Sequence, residues 1–175
     1  MEDLSLHILD IVENATRAGA TLVEIDILKD TGKDIFKIVI LDNGRGMDRD
    51  MLKKVRDPFV TTRTTRRIGL GLPLLEQAAQ EAGGALSIKS EPGGGTKVSV
   101  VFQANNIDRK PLGDIGSTLI MLIAGNPDVD FIYNSDFDGK KIALDTREIK
   151  AELEGTLSIS DPAVLRLINN LFKDN

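Results

Sequence analysis

The stretch FKIVILDNGRGM, Phe36 to Met47, runs from apolar residues into an acid and two glycines. A segment rich in Ile, Val and Leu, bounded by turn formers, reads as a strand buried in a sheet. Asp42 stands where that strand runs out, and Gly44 and Gly46 loosen the corner behind it. Taken alone, Asp42-Asn43-Gly44 is more commonly a turn than a ligand site, so its meaning depends on what surrounds it.

Working outward, TLVEIDIL alternates apolar and polar residues as a half-buried strand does, and DTGKD supplies the turn of a hairpin with IFKIVIL. Before it, Leu4, Ile8, Ile11, Val12, Ala15 and Ala18 recur at helical spacing, and Gly19 marks a C-terminal stop. After it, RDMLKKV suggests a short helix, Leu72 to Ala82 a longer one ended by two glycines, and ALSIKSE and TKVSVVF two strands around PGGG. QANNIDRKPLGD is polar and carries Pro111, a boundary signal, which divides the chain into 1–104 and 105–175. The second part carries an apolar helix from Ile115 to Ala124, strands VDFIYNS and KKIALD joined by DFDG, and two further helices. Thr146 is a candidate N-cap for the first of these, and Ser160 or Asp161 for the second, where Pro162 fits the first turn.

Composition narrows the classes. The chain has 175 residues, 41% hydrophobic and 28% charged, which fits a soluble globular protein rather than a disordered one. The formal net charge of −5 argues against a nucleic-acid-binding protein. There is no cysteine, hence no disulfide or thiolate chemistry, and the single histidine rules out a multi-histidine metal site. The longest apolar stretch, STLIMLIAG, is too short to span a bilayer, and the acidic start lacks a basic leader region. A cytoplasmic protein without membrane partners is the expectation.

Four features in order each suit part of a nucleotide. Asn14 offers an amide oxygen of the kind Mg²⁺ accepts alongside phosphates, and Asp10, one turn earlier on the same face, can orient a water or accept a proton. Arg17, on the next turn, can reach a phosphate. Asp42 can accept from the exocyclic amine of adenine, Gly44 and Gly46 let the backbone approach a flat ring, and Met47 gives it apolar contact. In PFVTTRTTRRIGLGL, the Gly69-Leu70-Gly71-Leu72 turn opens a helix whose free N–H groups face phosphates. Arg63, Arg66 and Arg67 add charge beside it, on a segment with the polarity of a lid. In GGGT, Thr96 begins a strand and can hydrogen-bond the base directly or through water.

DIVENATRAGA, DNGRGM, DPFVTT, GLGL and GGGTKVSV resemble, in order and spacing, the N, G1, F, G2 and G3 boxes of the GHKL ATPase superfamily, over Leu4 to Phe102. The resemblance implies an α/β two-layer sandwich of the Bergerat type, a mixed β-sheet covered on one face by helices, here with a small α/β C-terminal extension. It implies ATP and Mg²⁺ as ligands, with Asn14 on the metal, Asp42 on the adenine amine and the Gly69–Leu72 turn on the phosphates. Arg17 and PFVTT are similar to histidine kinases. Mismatch-repair ATPases resemble ENATRAGA but carry an acid where Arg17 stands. The chain departs from the pattern in three places: Asp10 stands where hydrolysing members and anti-sigma kinases usually carry Glu, Arg67 replaces a glycine, and Ala18 replaces an aromatic residue. Two strands that usually precede the Asn helix are not found before it; VDFIYNS and KKIALD are candidates to supply that hairpin.

The resemblance implies an ATP-dependent signalling kinase, of the histidine kinase or anti-sigma serine kinase type, with Asp10 as base and a separate protein as phosphoacceptor. An ATP-switched binding module and a mismatch-repair-like dimeric ATPase are the alternatives, and a second copy of the chain stays open as a partner. His7, inside the Asn helix, is expected to pack rather than accept phosphate.

Overall fold

The structure, a computed structural model, describes residues 3–57 and 71–173. Helix α1 (Leu4–Arg17) buries Leu4, Ile8, Ile11, Val12 and Ala15 along one stripe. Its first N–H groups lack intrahelical partners by geometry. Asp3 caps Leu6 N at 3.2 Å, while Leu4 N and Ser5 N donate to the carbonyls of Pro111 and Leu112 at 2.9 and 2.8 Å. The polar connection near residue 110 is thus fastened to the start of α1. Arg109 strengthens it, with its guanidinium 4.7 Å over the Phe36 ring and its Nε donating to the Ala104 carbonyl.

Strands β1 (Leu22–Asp30) and β2 (Ile35–Asp42) form the expected antiparallel hairpin, with Ile25 opposite Ile40 and Ile27 opposite Ile38. A short α2 (Arg49–Val55) follows, then α3 (Gly71–Glu81), β3 (Ala85–Ser90) and β4 (Thr96–Phe102). The later part gives α4 (Ile115–Gly125), β5 (Asp130–Phe137), β6 (Lys140–Asp145), α5 (Thr146–Leu153) and α6 (Pro162–Lys173).

Among the described residues, all six strands lie in one sheet, ordered β3-β4-β2-β1-β5-β6. Only β1 and β5 pair in parallel; the other neighbours are antiparallel. The C-terminal hairpin therefore completes the sheet beside β1, as the missing-hairpin expectation required. Its tight turn places Asp138 at φ +53° and Gly139 at φ +94°, the two positive φ values of a type I′ connection.

Inward side chains of the central strands, among them Ile25, Ile38, Ile40, Val100, Phe102, Phe131 and Tyr133, meet the apolar stripes of α1, α3, α4 and α6. Outward residues such as Lys37, Val39, Asp26 and Leu28 stay half-buried or exposed. This is the two-layer, mixed-sheet architecture the sequence leads one to expect.

One cap differs from expectation. Asp145, not Thr146, caps α5, accepting from Arg147 N at 3.0 Å. Thr146 is fully buried and its hydroxyl accepts from Phe131 N at 2.8 Å, so tertiary pairing takes the side chain that local capping would have used. Asp161 accepts from Ala163 N at the start of α6. Among the described residues, no helix is long and apolar enough to cross a membrane.

Candidate functional site

An open cleft of about 750 Å³, part of it open to solvent, lies between α1, the end of β2 and the β3–β4 turn. Its walls include Ile11, Asn14, Ala15, Arg17 and Ala18 from α1 and its cap, and Asp42, Arg45, Gly46 and Met47 from the corner after β2. Leu72 of α3, Thr96 and Val98 of β4, and Met51 and Val55 of α2 complete them.

The corner is held by backbone contacts that leave little room. Arg45 N donates to the Ala18 carbonyl at 2.9 Å, and Gly93 N donates to the Arg45 carbonyl at 2.7 Å. Gly46 has φ +70°, and a Cβ there would stand 1.9 Å from the Glu91 carbonyl oxygen. A Cβ on Gly95 would stand 2.0 Å from the Asp42 carbonyl oxygen. Such approaches admit only glycine. Asn43 does not face the cleft: its Oδ1 accepts from Thr21 N and Leu22 N at 2.8 and 3.0 Å, tying the corner to the start of β1.

Asp42 is opposite Thr96 in the β2–β4 register. Its Oδ1 accepts from Gly44 N at 2.8 Å. Burial raises its pKa, opposed by hydrogen bonds from the backbone of Gly44 and Thr96. Ser90 organises the other side of the corner. Its Oγ accepts from Met47 N at 2.8 Å and lies 2.8 Å from the Gly95 carbonyl and 2.9 Å from Thr96 Oγ1. A carbonyl can only accept, so the one Ser90 proton goes to Gly95. The Thr96 proton must then go to Ser90, which leaves Thr96 Oγ1 with lone pairs alone. Asp42 and Thr96 together form a corner of acceptors.

On α1, Arg17 makes a long, exposed pair with Glu13 at 3.8 Å. Asp10 stands outside the cleft lining, against the start of α3, where a Cβ on Gly71 would come 3.3 Å from the Asp10 Cβ. Gly71 and Leu72 are buried at that helix start. Arg63, Arg66, Arg67, Gly69 and Leu70 lie outside the described residues.

A family model described as histidine kinase-, DNA gyrase B- and HSP90-like ATPase matches residues 2–106. The chain belongs to this ATPase family. Its relatives include the non-motile and phage-resistance protein of Caulobacter vibrioides, 30% identical over 59% of this chain and 13% of the relative. The tetrathionate sensor histidine kinase of Salmonella typhimurium is 34% identical over 62% of this chain and 18% of the relative. The chain thus spans under a fifth of either protein. Among solved structures, the Aquifex aeolicus MutL ATPase domain complexed with ADP is 22% identical at a TM-score of 0.53, covering 88% of this chain and 68% of that one. The N-terminal domain of a DNA repair protein gives a TM-score of 0.56 at 18% identity, over 83% of this chain and 53% of that one. These two show likeness of fold, and it runs past residue 106 into the part that supplies β5.

Within this ATPase family member, the fold brings Asn14, Arg17, Asp42, Gly46, Met47, Leu72 and Thr96 to one cleft. Sequence reading missed Ser90, Arg45, Met51 and Val55. Met51 and Val55 are spaced i, i+4 on a helix with no buried residue, a signal for an apolar edge facing a cleft. Nothing local marks Ser90, whose partners come from the distant corner at Met47 and from its own β3–β4 turn. His7 is 1% exposed, in the core as expected.

Proposed function

We propose that this chain binds ATP with Mg²⁺ in the α1–β2 cleft and works as the nucleotide-binding part of a protein phosphotransfer system. The acceptor corner of Asp42 and Thr96 carries the reading. It complements the exocyclic amine of adenine and would meet the carbonyl of guanine with lone pairs against lone pairs. Adenine lies flat over Gly46 and Met47, with Ile11, Val98 and Val55 as apolar surroundings. From there the ribose and phosphates run along α1 towards Asn14 and the start of α3.

Asn14 supplies one amide oxygen for Mg²⁺, which fits an ion that prefers few protein ligands together with phosphate oxygens and water. Bound Mg²⁺ neutralises phosphate charge. Arg17 and the lid arginines Arg63, Arg66 and Arg67 hold the phosphates electrostatically, and the N–H groups of the Gly69–Leu72 turn complete the cradle. Asp10, a turn before Asn14, orients the attacking group. The γ-phosphate goes to a protein acceptor other than the buried His7, as the sensor-kinase relatives suggest. The protein works in the cytoplasm.

An ATP-switched binding module is the second reading, favoured by the position of Asp10 outside the cleft lining and by its short side chain. A base misplaced by about an ångström loses on the order of 100-fold in rate. Two measurements test these readings. Calorimetry of Asp42→Asn should show ATP binding lost, and unchanged affinity would overturn the adenine assignment. Incubation with labelled ATP, Mg²⁺ and candidate partners should move label to a partner; tight binding without transfer selects the switch.

A further inference from the structure

The face of the sheet turned away from the helices is divided by charge. On β3, β4 and β2 the outward ionisable residues are Lys89, Lys97 and Lys37, without a carboxylate among them. None of the three makes an ion pair among the described residues. On β1, β5 and β6 the outward set is dominated by carboxylates. Asp130 and Asp145 are neutralised by Lys150 and Arg147, each at 2.8 Å, and Arg147 also acts on Glu24. Asp26 takes only an amide hydrogen bond, from Asn134, and Asp136 only a backbone one, from Gly139, with Lys141 opposite it in the register. Between the two halves lies an apolar strip: Leu41 is 40% and Leu28 39% exposed, with Val39 between them in the register.

We propose that this open face is a self-complementary surface on which a second copy of the chain docks. Two-fold symmetry makes an interface residue meet its complement twice. An axis in the interface plane, parallel to the strands and between β2 and β1, lays β2 of one copy over β1 of the other, β4 over β5 and β3 over β6. In the observed register, that sets Lys37 between Asp26 and Asp136 of the other copy. Lys97 comes near Glu24, and Lys89 lies over Asp145. Val39 comes over Asp26 and beside Leu28 of the other copy. An axis perpendicular to the strands would instead lay the lysine-bearing half over the same half of the other copy, so the charge pattern selects one arrangement.

The dimensions agree. At about 4.8 Å between strands and 3.3 Å per residue, the face measures roughly 29 by 23 Å, and two apposed copies cover on the order of 1,300 Å², the size of a specific interface. Strands related this way stay nearly aligned, as in packed sheets. The cleft opens on the helix side, so both nucleotide sites of the dimer face outward.

Sedimentation without nucleotide tests this, and its failure leaves the ATP reading untouched. The chain should dimerise at micromolar concentration in low salt, with the dissociation constant rising about ten-fold or more when salt screens the charges. The triple variant Lys37→Glu, Lys89→Glu, Lys97→Glu should be monomeric, as should Glu24→Lys, Asp26→Lys, Asp136→Lys. An equimolar mixture of the two should form a heterodimer, because each now carries one sign across the face. Leu28→Lys, which sets a lysine over Lys37 of the other copy, should also give a monomer if a triple variant loses its cooperative melt. A wild-type monomer at every concentration, a dimer indifferent to these substitutions, or folded variants that do not associate on mixing would each overturn the proposal.

Discussion

Ser90 Oγ accepts the backbone N–H of Met47 across 43 residues of sequence, at 2.8 Å. The same oxygen takes the Thr96 proton and gives its own to the Gly95 carbonyl. One hydroxyl therefore fixes the Gly46-Met47 corner, the β3–β4 turn and the polarity of Thr96. Ser90→Ala strands a half-buried N–H and frees Thr96 to rotate its proton towards the ligand. The expected result is roughly a ten-fold loss of ATP affinity with about 1–2 kcal/mol of stability lost. Paired calorimetry and urea unfolding measure both; unchanged affinity would show that Thr96 polarity is irrelevant.

The glycines of the corner differ in what a side chain would meet. Gly46→Ala puts a Cβ into the Glu91 carbonyl at a positive φ, so backbone must move. Gly93 also has a positive φ, +76°, but nothing within 4 Å of the added atom. Gly93→Ala should cost only the left-handed penalty, about 1–2 kcal/mol. Gly46→Ala should cost clearly more and abolish ATP binding. Urea midpoints of the two variants check the ordering.

Asp42 separates stability from function. Burial raises its pKa in the folded protein above the usual 3.8. A group with a raised folded pKa gives its full contribution to stability below the unfolded pKa and loses it as pH rises through the folded value. The charged carboxylate is thus a cost to the unliganded fold at neutral pH. Asp42→Asn keeps an acceptor for Gly44 N, so its melting temperature at pH 7 should equal or exceed wild type, the gap closing on acidification. ATP affinity of the wild type should fall as pH drops through the same pKa, because the amine needs the ionised acceptor. A variant that melts well below wild type at pH 7 would make Asp42 structural.

Much of this was legible because pattern and packing agree. IFKIVIL and TLVEIDIL alternate with the pleat, and the Leu4–Ala15 stripe follows the helical repeat, so β1, β2 and α1 fall where expected. Asn14, Asp42 and Thr96 stand on or beside those elements and arrive together. What pattern alone did not fix depends on contacts distant in sequence. Thr146 resembles a cap until Phe131 claims its hydroxyl, and Ser90 becomes important only when the Met47 and Gly95 backbones close on it. That β5 pairs in parallel with β1 needed the sheet itself.

The Thr146 contact can be weighed directly. Its hydroxyl is the partner of the buried Phe131 N–H where β5 begins, next to the parallel pairing with β1. Thr146→Val keeps the shape and removes the acceptor, which should cost about 1–3 kcal/mol. Thr146→Ser keeps the acceptor and should recover most of that loss. Thermal unfolding of the pair distinguishes a hydrogen-bond role from simple packing, since packing alone would make the serine variant the weaker one.

Arg17 and Asp42 line the same cleft from different elements, α1 and the end of β2, and a ligand series should separate their roles. Arg17 is 51% exposed and its pair with Glu13 is long, so neither holds it away from an incoming anion. If it meets phosphates, Arg17→Ala should weaken ATP and ADP about ten-fold, in keeping with a charge-assisted contact worth roughly 1.5 kcal/mol, and leave adenosine binding unchanged. Asp42→Asn should weaken all three alike, because every one carries the amine. Calorimetry with the three ligands reads this out. Equal loss of adenosine in Arg17→Ala would move Arg17 from the phosphates to the base, and with it the direction in which the nucleotide runs along α1.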